Sequence, residues 1–169
     1  GLGELKVPAP TLPDDALIPA TPLGVMRILQ WKQAELDGAN AVVLGQSRLV
    51  GAPIATLLKQ HGAQVESCNS RTPNVPEKLK NADVIVSATG CPYLVKPDSI
   101  KPNALIVDVG ITRTASGLAG DVDPACADVA GLQTAVPGGV GPMTITSLFT
   151  NLIDAAYMQS GRPRPVWDV

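Results

Sequence analysis

In residues 41–53, AVVLGQSRLVGAP, an apolar run ends at Gly45, polar Gln46 and Ser47 follow, and then Val50 and Gly51. A glycine there permits a tight turn from strand into helix, and the start of the helix offers unpaired N–H groups to an anion such as a pyrophosphate. Gly51 would let the helix lie close against the strand. Ser47 stands where the dinucleotide fingerprint G-x-G-x-x-G has its second glycine. Its hydroxyl adds a donor, while its Cβ limits how closely the backbone approaches a phosphate. Taken alone, the pattern also fits an ordinary strand–turn–helix.

An NAD site usually places Asp or Glu about 20 residues beyond such a turn, to take the ribose hydroxyls. Here that region reads SCNSRTP, with Asn69, Ser70, Arg71 and Thr72. An acid there would repel a 2′-phosphate, whereas Ser70 and Arg71 can donate to one. Glu66 belongs to the strand, short of the ribose. The chemistry leans towards NADP, against the alternative of a solvated turn with an incidental arginine.

Two further glycine turns, Ala88-Thr89-Gly90 and Val109-Gly110-Ile111, also fall at the ends of apolar runs. The segment VPGGVGPMT, with Gly138, Gly139, Gly141 and Pro142, gives an unhindered backbone path. It fits either a surface lying flat against a ring system or a plain start of a helix. Acid–base candidates are sparse. His61 in KQHG suits a solvated helix end, Asp108 a structural acceptor, and Lys96 and Lys101 a solvated loop. Asp121 and Asp123 share a strand face but lack the partners a metal needs. No Ser/His/Asp or Cys/His constellation stands out. Cys68, Cys91 and Cys126 form no C-x-x-C, so no metal is expected; three unframed thiols suit part-buried cysteines in a reducing compartment.

These residues need a frame. Val25, Ile28, Leu29 and Leu36 mark a helix running from Pro22 to a stop at Gly38. NAVVLG reads as a strand, LVGAPIATLLKQHG as a helix closed by Gly62, and AQVESC as a second strand. NVPEKLKNA gives a short helix, and DVIVSATG and NALIVDVG two more strands, the last nearly all apolar as in a parallel sheet. ITRTASGLAGDVD suggests a hairpin turning at Ser116-Gly117, and VAGLQTAV one more strand. A long helix follows, with Pro142 in its first turn. Alternating strands and helices predict an α/β chain with a Rossmann-like, doubly wound, mainly parallel sheet and helices on both faces. Ligands bind such sheets beyond the carboxyl ends of the strands, where these turns gather.

With 169 residues, 45% hydrophobic and 17% charged, the chain can bury a real core. A net charge of −2 gives no electrostatic case for nucleic acid or an anionic membrane. The chain divides into a proline-rich linker over 1–22, a cofactor domain over 23–160 and a tail over 161–169. The linker suggests a fragment of something longer.

PATPLGV, GQSRLVGAP, SRT, ADVIVSATG, VDVGI, GDVD and PGGVGPMT occur in this order. Together they resemble the NAD(P)-binding domain of bifunctional methylenetetrahydrofolate dehydrogenase/cyclohydrolase, from about Gly3 to about Ala156. The resemblance implies oxidation of 5,10-methylenetetrahydrofolate to the methenyl form with NADP, or NAD, and in many members hydrolysis to 10-formyltetrahydrofolate. It places Gly45, Gln46, Ser47, Val50 and Gly51 at the pyrophosphate side and Ser70, Arg71 and Thr72 at the adenosine ribose. Ala88, Thr89, Gly90, Gly110 and Ile111 would line the path to the nicotinamide, and Gly138, Gly139 and Pro142 the folate side. No catalytic residue falls in this chain: the family carries its Tyr-x-x-x-Lys motif on an N-terminal domain absent here, so little turnover is expected from the chain alone. A homodimer of the whole protein is implied, in the cytoplasm or the mitochondrial matrix.

The chain departs from the family at Gln46, commonly Arg, which removes a charge-assisted contact to a 2′-phosphate worth roughly 1.5–3 kcal/mol if made directly, for which Arg48 or Arg71 could compensate. It also departs at Asn69, frequently His, and at Ala20, usually Cys. Two other readings fit the residues: a two-domain dehydrogenase of the shikimate type, against which PGGVGPMT argues, and a non-catalytic relative that keeps the fold for assembly, which Gln46 favours.

Overall fold

The computed structural model describes residues 17–115 and 117–165. The expected linker up to residue 16, the tail from 166 and Ser116 of the hairpin turn lie outside them. Among the described residues seven strands form: β1 (Asn40–Leu44), β2 (Gln64–Cys68), β3 (Val84–Ser87), β4 (Leu105–Asp108), β5 (Thr112–Thr114), β6 (Gly117–Ala119) and β7 (Leu132–Gln133). The helices are α1 (Ala20–Trp31), α2 (Gly51–Gln60), α3 (Val75–Lys80) and α4 (Val140–Gln159). A parallel sheet runs in the order β2-β1-β3-β4-β7, while β5 and β6 form a separate antiparallel hairpin.

Alternation along each central strand builds two cores. Ala41 and Val43, Val84 and Val86, and Val107 face α1, α2 and the start of α4, where they meet Val25, Leu29, Ile54, Leu58 and Val140. Val42 and Leu44, Ile85, and Ile106 face the other way, onto Leu79, Val95, Ile100 and Cys126. Successive side chains of a strand point to opposite faces, so a run buried on both sides reads as continuously apolar. Each large aliphatic side chain buried this way contributes about 1.5–3 kcal/mol.

The predicted first helix is too long. It ends at Trp31, where Gln33 takes a left-handed φ of 56°. Gln33 N donates to Gln30 O and Ala34 N to Leu29 O, which is the Schellman closure, here without its usual glycine. Leu36 reaches the core from the loop beyond. Gly62 and Gly161 hold the same position after α2 and α4, with φ of 86° and 68°. The α1–α4 crossing is tight: a Cβ at Gly24 would stand 3.1 Å from Met143 C.

The sheet order reverses between β1 and β3, so the connections on either side diverge and open a crevice at their carboxyl ends. Across β2, β1, β3 and β4, at about 4.8 Å per strand, that edge is about 14 Å wide.

Candidate functional site

The turn after β1 is built on close backbone approach. Gly45 has φ of 97°, and a Cβ there would lie 2.3 Å from Ala88 O, at the end of β3. A Cβ at Gly51 would lie 1.9 Å from Gly45 O, so α2 rests directly on the turn. Ser47 organises the start of α2: its carbonyl accepts from Ala52 N at 3.0 Å and its Oγ from Gly51 N at 3.4 Å. Pro53 has no amide hydrogen. The first-turn amides are thus largely committed locally, and anion contact falls to the turn ahead of the helix.

At the neighbouring end of β2, Gln46 Nε2 donates to Ser67 O at 2.9 Å, and Asn69 Nδ2 donates to Gln46 Oε1 at 2.8 Å. Asn69 Oδ1 accepts from Arg71 N at 2.9 Å, and Asn69 N donates to Thr72 Oγ1 at 3.0 Å. Ser70 and Arg71 are exposed beside this network. Glu66 is turned away and ion-paired with Lys78, leaving no carboxylate in the Asn69–Thr72 turn.

Asp121 ties the next turn, and its role is absent from the sequence reading. It is fully buried, and its Oδ2 accepts from Ser87 Oγ at 2.9 Å, Thr89 N at 2.6 Å, Thr89 Oγ1 at 2.8 Å and Gly90 N at 3.3 Å. Asp108 is the structural acceptor expected. Oδ1 takes Gly110 N at 2.9 Å and Asp121 N at 3.0 Å, while Oδ2 takes Val122 N at 2.9 Å. Burial raises the Asp108 carboxyl above its ordinary range, and the three amides oppose that shift. Gly110 and Gly120 make room for the two acids: a Cβ at either would stand 2.0 Å from Asp121 Oδ1 or Asp108 Oδ2 respectively.

Beyond β4 the chain lines an open cavity of about 610 Å³. Val50, Asp108, Val109 and Ile111 form one side, and Pro137 to Pro142 with Thr144 and Ile145 the other. The structure therefore brings Val50, Ile111, Gly138, Gly139 and Pro142 around one space. Thr89 and Gly90 lie between it and the Gly45 turn. Ser70, Arg71 and Thr72 sit at the far end, past β1.

Several polar groups are spoken for. His61 Nδ1 lies 2.8 Å from Leu57 O at the end of α2. Lys96 and Lys101, expected in solvent, remain half-exposed but pair with Asp123 and Asp83. Asp123 also caps Ala125 N, so Asp121 and Asp123 do not act together. Cys68 and Cys126 are buried and Cys91 is exposed. Among the described residues no three His, Cys, Asp or Glu side chains gather around a metal site, and no helix is long and apolar enough to cross a membrane.

Comparison with known proteins places the fold in a family. FolD, the bifunctional protein of Dechloromonas aromatica, is 50% identical over 146 residues, 85% of this chain and 51% of that protein. The structure of the bifunctional FolD methylenetetrahydrofolate dehydrogenase/cyclohydrolase from Campylobacter jejuni superposes with a TM-score of 0.84 at 40% identity, covering 86% of this chain and 52% of that one. The Trypanosoma brucei N5,N10-methylenetetrahydrofolate dehydrogenase-cyclohydrolase, solved with NADP cofactor and inhibitor, gives 0.76 at 37% identity, covering 86% and 52%. The chain spans about half the length of these relatives. Residues 19–160 match the family model of the tetrahydrofolate dehydrogenase/cyclohydrolase NAD(P)-binding domain, and the chain belongs to that family.

Proposed function

We propose that the chain is the cofactor side of a methylenetetrahydrofolate dehydrogenase/cyclohydrolase, holding NADP while 5,10-methylenetetrahydrofolate is oxidised to the methenyl form. The observation that carries this reading is the row of strand-end turns fixed by Asp108 and Asp121 and opening into the 610 Å³ cavity. The cradle fits a dinucleotide: Gly45 and Gly51 let the turn pack directly against the end of β3 and the start of α2, and the turn after β2 carries Arg71 and no acid.

When bound, the nicotinamide supplies the hydride acceptor. The chain's own residues do the positioning. Gly45 to Val50 hold the pyrophosphate, Ser70, Arg71 and Thr72 the phosphorylated ribose, and Ala88 to Gly90 with Gly110 and Ile111 the path to the ring. The Gly138–Pro142 loop walls the folate side and keeps water from the transfer. Among the described residues of the site, no side chain is placed as acid, base or nucleophile.

A second domain supplies folate contacts and acid–base groups, and with them the cyclohydrolase step. The apolar stripe of α4 supports this. Ile145, which lines the cavity, continues into Leu148, Phe149 and Leu152, each 60–64% exposed. Such a patch marks an interaction surface. A homodimer of the whole protein in the reducing cytoplasm completes the reading, in keeping with three free cysteines.

Titration of the purified chain with NADPH and NADH tests it. Saturable binding, tighter for NADPH, supports the proposal; binding of neither ends it. Turnover of methylenetetrahydrofolate should be negligible until the folate half of a relative is fused to the chain.

A further inference from the structure

The hydrogen bond between Gln46 and Asn69 joins two turns 23 residues apart, and its polarity is dictated from both ends. Ser67 O can only accept, so it requires Nε2 of Gln46 and leaves Oε1 facing Asn69. Arg71 N can only donate, so it requires Oδ1 of Asn69 and leaves Nδ2 facing Gln46. The Asn69–Thr72 turn is closed further by Asn69 N on Thr72 Oγ1 and Thr72 N on Asn69 O. This chain of bonds runs from the glycine turn of β1 to the backbone of Arg71. The Arg71 side chain is exposed and takes part in none of the ion pairs among the described residues.

We infer that Gln46 and Asn69 act as one neutral clasp that positions the adenosine-ribose end of the site for NADP and NAD alike, and that Arg71, the cation of the clasped Asn69–Thr72 turn, reads the 2′-phosphate. A carboxamide carries no charge, and one N–H and one lone pair of Gln46 are already used in holding the turn. Its effect on a bound nucleotide therefore passes through the placement of Ser70 and Arg71. Gln46 and Asn69 are positioning residues. Charge discrimination needs a cation, and Arg71 is the one the turn carries.

This inference rests on the proposed NADP-holding role. Its test is a set of NADPH and NADH titrations on the full chain and on Gln46→Ala, Asn69→Ala, the double variant and Arg71→Ala. Thermal melts run alongside show that each variant is folded. Breaking the clasp should weaken NADH by about fivefold, as expected for loss of a hydrogen bond or two, and NADPH by at least as much, since Arg71 shifts with the turn. The double variant should fall well short of the product of the single effects, because either change already opens the clasp. Arg71→Ala should weaken NADPH by about tenfold or more and leave NADH nearly unchanged. A Gln46→Ala variant that weakens NADPH alone, or leaves both cofactors unchanged, overturns the clasp. So does an Arg71→Ala variant with an unaltered NADPH/NADH ratio. A wild-type chain that binds neither cofactor overturns the underlying reading as well.

Discussion

The carboxylate of Asp108 accepts the backbone amide of Asp121, and the carboxylate of Asp121 accepts four donors from Ser87, Thr89 and Gly90. One acid thus hangs from the other, and between them they fix the ends of β3 and β4. Both are buried, so neither can exchange these donors for water.

Removing the second member should be costly. Asp121→Ala leaves two hydroxyls and two amides without their acceptor, the Ser87 hydroxyl fully buried, a loss of about 3 kcal/mol. For a chain of this size that lowers the melting temperature by roughly 10 °C. Asp121→Asn keeps one oxygen of the same shape and should lose less than half as much. Denaturant titration measures both, and an alanine variant within 1 kcal/mol of the parent would mean that Asp121 is not the tie.

The strands were legible because burial on both faces makes β1, β3 and β4 continuous apolar runs, with glycine turns at their ends. The end of α1 was not legible, because Gln33 occupies a left-handed position that glycine signals elsewhere. The strand-end turns could be located from Gly45, Gly90 and Gly110, but not what holds them. Asp121 reaches partners 31 to 34 residues away, and its two-residue spacing from Asp123 suggested a shared face that the fold separates. The Gln46–Asn69 bond was equally invisible. It exists because β1 and β2 pair in parallel with Leu44 opposite Cys68, which sets the residues that follow side by side.

Gly51→Ala should separate steric need from backbone freedom. Its Cβ would meet Gly45 O at 1.9 Å, so α2 must move off the turn, with a loss of about 2 kcal/mol or more and weakened cofactor binding. Gly38→Ala meets nothing within 4 Å and pays only for its φ of 74°, about 1–2 kcal/mol, with cofactor affinity unchanged. Equal cofactor affinity in the two variants would contradict this account of the turn.

Thiol chemistry should report the core. Burial raises the Cys68 thiol and pushes Cys126 up to about 11 from 9.0. A raised acid keeps its proton more firmly when folded, so the associated stability is complete below pH 9 and is lost as pH rises through about 11. At pH 8 a chromogenic disulfide reagent should therefore titrate one thiol, Cys91, in the native chain and three in denaturant. Two fast native thiols would show that one of the buried sites is open.

The exposed face of α4 gives a test in which stability and function part company. Phe149 and Leu152 are 61% and 64% exposed, so Phe149→Glu or Leu152→Glu should shift the stability of the chain alone by no more than about 0.5 kcal/mol. If that face receives the folate domain, each charge is buried on docking, and turnover restored by fusion to a relative's folate half should fall at least about tenfold. Cofactor affinity of the chain alone should not change, since neither residue lines the cavity that Ile145 closes. Full turnover in a fused Leu152→Glu variant would place the docking surface elsewhere, and a large stability loss in the isolated chain would show that the face is already packed against its own fold.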